Sequence, residues 1–148
     1  MARPLQAPPG FEARTRDSFA RQAAMATLGI SIAEVDAGRV VLALPHRADL
    51  TQQHGFLHAG IVSTALDSAC GYAAFTLMPP EAAVLTVEFK VNLLAPARGP
   101  VLRVEGRVVK AGRTISVVDA RAVQGDDDAL VATMTATVMT VLGRGIAG

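Results

Sequence analysis

Residues 59–77 read AGIVSTALDSACGYAAFTL, a run of small and apolar side chains that contains a single charged residue, Asp67. The run is too long for one ordinary strand and is rich in residues that a helix tolerates, so it predicts a helix buried on nearly every side. Pro79 and Pro80 follow it, and proline cannot continue a helix. Such a helix requires other elements around it, because its apolar surface must be covered.

Four β-rich segments follow the prolines, at residues 84–94, 100–112, 113–125 and 129–143, with turn-forming Pro, Gly or Asp residues at the breaks. In the first segment four polar and four apolar side chains alternate, namely Thr86, Glu88, Lys90 and Asn92 with Val87, Phe89, Val91 and Leu93. This alternation predicts a half-buried antiparallel strand.

The part of the chain before the buried helix predicts another helix and a hairpin. Residues 1–14 are expected to be a flexible lead-in, since three of the eight prolines fall in the first ten positions. A helical pattern begins near Thr15 and ends at Gly29, which suits a helix C-terminus. The β-rich residues 31–36 and 39–45 then predict the hairpin.

One packing accommodates all these elements. The sequence predicts an α+β fold in which a sheet of about six antiparallel strands wraps around one long central helix, with an extra helix at the N-terminus. We expect residues 15–148 to form a single domain, because a chain of 148 residues is of ordinary one-domain size.

The composition restricts the partners and the location of the protein. Apolar residues make up 51% of the chain and charged residues only 18%, which predicts that part of the surface is covered by another copy of the chain. The net charge is +1 and the basic residues are scattered, so nucleic acid is not an expected partner. The single Cys70, the lack of an apolar secretory signal and the lack of a membrane-length apolar run predict a cytoplasmic protein that does not enter membranes.

Asp67 is the first candidate for chemistry. A lone carboxylate on a buried helix is costly unless it is paired or used, although it could also face a solvent stripe or cap a loop. His58 precedes the helix and Gly60 opens it, so the first backbone N–H groups there are potential donors to a developing negative charge. The spacing of His54, His58 and Asp67 fits no dedicated zinc pattern, and we expect no metal. The chain lacks a G-x-S-x-G elbow and the glycine fingerprints of nucleotide-binding loops.

Three segments together resemble the PaaI-type acyl-CoA thioesterases of the hotdog superfamily. They are TQQHGFLHAGIVSTALDSACGYAAF at 51–75, LTVEFKVNLLAPARG at 85–99 and GRVVKAGRTISV at 106–117, and the resemblance covers about residues 15–142. It implies the hotdog fold and hydrolysis of an acyl-CoA to a carboxylic acid and free CoA, with no cofactor.

The resemblance also implies roles for individual residues. Asp67 would act on water as a general base or attack the thioester as a nucleophile. Gln52 would position the thioester or the water, His58 would support the loop, and the backbone N–H of Ala59, beside Gly60 at the helix start, would polarise the carbonyl. Thr86 would hold a water near the acid, or be an ordinary strand threonine. Contacts to the CoA portion are expected from Asn92, Lys110, Gly112 and Arg113, although the two cations, Lys110 and Arg113, could be only solvated surface charges.

The spacing on the helix predicts a site shared between two chains. Ala59 and Asp67 are eight residues apart, which is about 12 Å along a helix, so one thioester cannot contact both within one chain. A homodimer with antiparallel helices would bring them together, and we expect such dimers to pair further. Two other functions remain open, a hotdog-fold dehydratase or hydratase and a non-catalytic acyl-CoA-binding protein.

Overall fold

The computed structural model describes residues 3–148, so the first two residues of the predicted lead-in lie outside it. Within this range the helices are α1 (Phe11–Ala20), α2 (Ala23–Leu28) and α3 (Ala59–Phe75), and a short 3-10 turn covers Ala48–Leu50. The strands are β1 (Ser31–Asp36), β2 (Arg39–Pro45), β3 (Ala83–Leu93), β4 (Val101–Ala111), β5 (Ile115–Gln124) and β6 (Ala129–Val141).

The N-terminal helical region differs from the prediction. A single helix from Thr15 to Gly29 is wrong, because α1 already begins at Phe11 and a break separates it from α2. Phe19 and Met25 are both buried, yet six positions on one continuous helix would turn them about 120° apart. The break lets both side chains reach the same core. Gly29 does end α2, in the left-handed conformation that glycine adopts readily.

The six strands form one antiparallel sheet in the order β1-β2-β4-β5-β6-β3, and α3 packs against its inner face. The helix approaches β4 most closely at Gly106, where an added Cβ would lie 2.3 Å from the Ala69 carbonyl oxygen. At the other end of the helix, the Thr76 hydroxyl accepts a 2.8 Å hydrogen bond from the backbone N–H of Gly38, in the turn between β1 and β2. A sheet wrapped around one central helix confirms the predicted hotdog fold.

The edge strand β3 carries a bulge that changes the predicted pattern of faces. Thr86 pairs with Val138 but Glu88 pairs with Thr137, so Val87 is the extra residue. Because neighbouring residues of β6 point to opposite faces, Thr86 and Glu88 also point to opposite faces. Thr86 therefore shares the inner face with Phe89, and the regular alternation expected through Val87 is wrong at this point.

The expected half-burial of β3 is also wrong for the single chain. The apolar side chains of Phe89 and Leu93 face the inner side of the sheet but are 43% and 52% exposed. The helix α3 contacts β3 but leaves Phe89 and Leu93 uncovered. None of the helices within residues 3–148 has the length and hydropathy of a membrane span.

Candidate active site

Asp67 lies in the middle of α3, half-buried, with its carboxylate towards β3. The Thr86 hydroxyl donates a 2.7 Å hydrogen bond to Asp67 Oδ1. Both side chains line a cleft of about 340 Å³ that is open to solvent. The bulge in β3 makes this contact possible, since it turns Thr86 to the inner face of the sheet. The structure thus brings together two of the residues that the sequence singled out.

The start of α3 presents one free backbone donor. His58 caps the helix, because its Nδ1 accepts a 2.8 Å hydrogen bond from the Gly60 N–H. This tautomer leaves the proton of a neutral imidazole on Nε2. The Ala59 N–H makes no hydrogen bond to any other residue of the described chain. Ala59 is not among the residues with positive φ, so its methyl group causes no backbone strain.

Gln52 belongs to the loop that leads into α3. Its backbone N–H donates to the Phe56 carbonyl oxygen at 2.9 Å, and its side-chain oxygen accepts from the His54 N–H. His46 Nε2 lies 2.8 Å from the Gly55 carbonyl oxygen and holds the tip of the same loop. These contacts give Gln52 a defined position before the helix.

A second, smaller cleft of about 180 Å³ lies beside this loop. Gln52 and Ala59 line it, together with Leu93 at the far end of β3. The cleft that contains Asp67 and Thr86 is separate. Within one chain the structure therefore divides the six candidate catalytic residues into two groups, Asp67 and Thr86 on one side and Gln52, His58, Ala59 and Gly60 on the other.

The residues expected to contact CoA are also separated. Lys110 lies in the last two residues of β4, and Gly112 and Arg113 form the exposed turn to β5, at the end of the sheet where β3 begins. Asn92 lies near the other end of β3, on the outer face, where its side chain contacts Lys90 and Thr133. The single chain does not place Asn92 near the turn.

Sequence reasoning missed the contribution of α1, and of the break that follows it, to the Asp67 cleft. Ser18, Arg21 and Gln22 form one wall of it. The Ser18 hydroxyl lies 3.2 Å from the Tyr72 hydroxyl, which joins this wall to α3. The weak pattern of α1 gave no signal for this placement, because the contact is between elements distant in sequence. Gly71, another lining residue, could have been noticed as a glycine one helical turn after Asp67.

A reactive thiol and a metal site are two other features that could supply chemistry near Asp67. Cys70 is fully buried, and burial, with smaller contributions from Asp67 and Asp119, raises the pKa of its thiol. A thiol with a raised pKa is a poor nucleophile at neutral pH. No three His, Cys, Asp or Glu side chains of residues 3–148 are grouped as a metal site would require, and this holds for His54, His58 and Asp67.

Comparison with known proteins identifies the family of this chain. The family model described as Thioesterase superfamily matches residues 54–131, more than half of the chain. The structure of a thioesterase family protein from Silicibacter pomeroyi is 59% identical, with a TM-score of 0.88, over 90% of this chain and 100% of that one. The Escherichia coli PaaI protein from the phenylacetic acid degradation operon shares the fold, with a TM-score of 0.81 at 20% identity over 88% of this chain and 93% of that one.

Two curated relatives match parts of the chain. A Saccharolobus solfataricus protein with a provisional esterase name is 36% identical over 93 residues, which are 62% of this chain. The match spans 65% of that relative, slightly under two thirds of the relative's length. The 1,4-dihydroxy-2-naphthoyl-CoA hydrolase of Listeria monocytogenes is 25% identical over 91 residues, 62% of this chain and 74% of that enzyme. Because the family model matches more than half of its residues, the chain belongs to the thioesterase superfamily.

Proposed function

We propose that this protein is an acyl-CoA thioesterase, which hydrolyses its substrate to a carboxylic acid and free CoA with Asp67 as the catalytic carboxylate. The environment of Asp67 carries the proposal. Its carboxylate is half-buried, faces an open cleft and accepts a hydrogen bond from Thr86. Within residues 3–148 it forms no ion pair with a cationic side chain. A carboxylate that is oriented by a hydrogen bond but not neutralised by an ion pair is available to react with a substrate.

Two routes are consistent with one carboxylate and no cofactor. As a general base, Asp67 takes a proton from a water molecule while the water oxygen bonds to the thioester carbon. As a nucleophile, Asp67 bonds to that carbon itself and forms an anhydride, which water then hydrolyses. In both routes the carbon–sulfur bond breaks, and CoA leaves as a thiolate that takes up a proton. Thr86 would orient the carboxylate or the water.

The other group of candidate residues would stabilise the carbonyl oxygen. The free Ala59 N–H lies at the positive end of α3, which favours a developing negative charge. His58 supports this role because its cap on Gly60 keeps the first turn of the helix in place. Gln52 lines the same cleft and would hold the thioester or the water.

We further propose that the working unit is a homodimer in which each site takes residues from both chains. The exposed edge of β3 carries the apolar side chains of Leu85, Val87, Phe89 and Leu93. The two separate clefts adjoin opposite ends of this strand, at Thr86 and at Leu93. Pairing of two β3 edges in antiparallel orientation would bring the Thr86 end of one chain to the Leu93 end of its partner. Association of two such dimers stays a prediction.

The same pairing would bring Asn92 of the partner subunit towards the turn at Gly112 and Arg113. These residues remain our candidates for contacts with the CoA portion. The relative from Listeria monocytogenes is named as a hydrolase of a CoA thioester, which supports the choice of CoA.

The test is a screen of acyl-CoA substrates with detection of the released thiol. We expect hydrolysis by the wild type, and Asp67→Asn should lower the rate by roughly 10²- to 10⁴-fold, the scale expected for loss of a general base. Asp119→Asn is a matched control, because Asp119 likewise accepts a hydrogen bond from a threonine, Thr135 at 2.9 Å, but on the outer face of the sheet. This control should retain wild-type activity.

Three results would contradict the proposal. Substrate consumed without release of thiol would identify a dehydratase or hydratase. Binding of acyl-CoA without any turnover, or unchanged turnover in Asp67→Asn, would remove Asp67 from the chemistry.

A further inference from the structure

The Asp67 cleft extends along α3 beyond the carboxylate. Its lining passes from Asp67 over Gly71 to Tyr72, under the wall formed by Ser18 of α1 and by Gln22, which precedes α2. The hydroxyls of Ser18 and Tyr72, 3.2 Å apart, mark the far end. Tyr72 is 7% exposed and packs edge-on against Phe19 and Phe75, so the far wall is held firmly.

Gly71 is the unusual residue of this cleft. It lies four residues after Asp67, about 6 Å further along the same face of the helix. A Cβ built on Gly71 would have no heavy atom of the surrounding structure within 4 Å. Gly106, by contrast, has no room for a Cβ, because the backbone at Ala69 is in contact with it. Packing within the chain therefore explains Gly106 but does not explain Gly71.

Glycine inside a helix is less stable than alanine, since it loses more conformational freedom on folding. An alanine would fit at Gly71 and would stabilise α3, yet its methyl group would project into the cleft. The glycine keeps the floor of the cleft open next to the catalytic carboxylate. The space is of use if part of a ligand occupies it.

We propose that the acyl group of the substrate lies over Gly71, between Asp67 and Tyr72, and that the missing side chain sets the largest acyl group that this protein accepts. This inference rests on the proposed thioesterase function and adds the acyl site and the residue that controls its size. An acetyl group ends close to Asp67 and does not reach Gly71. A longer acyl chain or a ring must pass over Gly71.

The first measurement is thermal unfolding of Gly71→Ala. We expect the Tm to rise by about 2–4 °C, because one helix glycine is replaced without a clash. In the same variant kcat/KM should fall about 10-fold or more for hexanoyl-CoA and phenylacetyl-CoA, the scale on which a pocket senses one methyl group. The value for acetyl-CoA should hardly change, which makes acetyl-CoA the internal control.

The second measurement is binding, and it does not depend on turnover. Acetyl-CoA and hexanoyl-CoA are titrated by calorimetry into Asp67→Asn and into the double variant Asp67→Asn/Gly71→Ala. We expect the second substitution to weaken the binding of hexanoyl-CoA by about 10-fold or more and to leave the binding of acetyl-CoA unchanged. If the wild type hydrolyses nothing but this difference in binding is found, the function is wrong and the acyl site stands.

Other outcomes would overturn the inference. A Gly71→Ala protein that is less stable than the wild type, or that fails to fold, would show that the space at Gly71 is not free. Equal effects on acetyl-CoA and hexanoyl-CoA, or no effect on either, would show that the acyl group lies elsewhere, even where Asp67→Asn still abolishes hydrolysis.

Discussion

Thr86 reaches Asp67 because a single extra residue, Val87, interrupts the pairing of β3 with β6. Bulges often re-aim a side chain next to an active site, and this one turns a hydroxyl from the outer face of the sheet to the carboxylate on α3. The position of one threonine is thus set by the backbone of its neighbours.

At this scale the Thr86 hydroxyl can be tested with a matched pair of substitutions. Thr86→Val keeps the shape and removes the hydrogen bond to a charged group, so we expect kcat/KM to fall about 10- to 100-fold. Thr86→Ser keeps the hydroxyl and should recover most of the activity. If Ser and Val are equally impaired while both fold normally, the hydroxyl has no role in the reaction.

Cys70 provides a second test at the residue scale. Burial raises the pKa of its thiol, and Asp67 and Asp119 nearby add to the effect. We therefore expect thiol reagents to leave the native protein unmodified at neutral pH and to label one thiol per chain after denaturation, since the chain has a single cysteine. Rapid labelling of the native protein would contradict the buried position of α3. Slow labelling also means that Cys70 does not disturb a thiol-release assay.

Asp67 could be recognised from the sequence as a candidate site residue because it is the one charge in a long apolar run. Thr86 could be named as a candidate only through the family resemblance. The regular alternation in β3 assigned Thr86 and Glu88 to the same face, since a bulge leaves no clear mark in one sequence. The wall formed by Ser18 and Gln22 could not be predicted, because it depends on how α1 packs against α3.

At the scale of elements, most of the helix and strand order followed from periodicity and from turn residues. Gly29 ends a helix and Gly38 lies in the turn of the first hairpin, as the sequence predicted. The break between α1 and α2 was missed because burial of both Phe19 and Met25 depends on tertiary packing. Local propensity contains no information on that requirement.

The strands β1, β2 and β4 are tied together by a charge network on the outer face of the sheet. Arg39 contacts Glu34 and Asp36 at 2.7 Å and Glu105 at 2.9 Å, and Glu105 is also bound by Arg107 at 2.8 Å. Partial burial of Glu105 opposes its ionisation, but the hydrogen bonds from Arg107 and Arg39 outweigh this and lower the pKa of its carboxyl.

This lowered pKa predicts a pH dependence of stability. A carboxyl whose pKa is lower in the folded state stabilises the protein above its unfolded pKa and loses that effect as pH falls through the folded value. We expect Glu105→Gln to reduce the free energy of unfolding by about 1 kcal/mol at pH 7, with the difference shrinking below about pH 4. Urea unfolding of both proteins at pH 7 and below about pH 4 measures this difference in the free energy of unfolding.

Glu12→Gln is the control for this experiment, because Glu12 pairs with Arg16 on the exposed surface of α1 at 3.3 Å. Exposed pairs of this kind contribute little to stability. The role of the network would be contradicted if Glu105→Gln lost no more free energy of unfolding than Glu12→Gln. A loss in Glu105→Gln that grows as the pH falls would contradict it too.

At the scale of the whole molecule, the proposed mechanism needs residues that a single chain does not bring together. Its carboxylate and its free helix N–H line different clefts, and the strand between them exposes the large apolar side chains of Phe89 and Leu93. Two antiparallel copies would cover this edge and complete two equivalent sites. We therefore predict that each thioesterase site contains Asp67 of one chain and Ala59 of the partner subunit.

The most direct measurement uses two inactive variants, Asp67→Asn and Gly60→Val. A Cβ at Gly60 would lie 3.1 Å from His58 Nδ1, so a valine disturbs the helix start without touching Asp67. The variants are unfolded and refolded together, and mixed dimers are verified by mass. Half of the dimers should be mixed, each with one intact site, so activity should return to about a quarter of the wild type. Verified mixed dimers that remain as inactive as either variant alone would contradict the shared site.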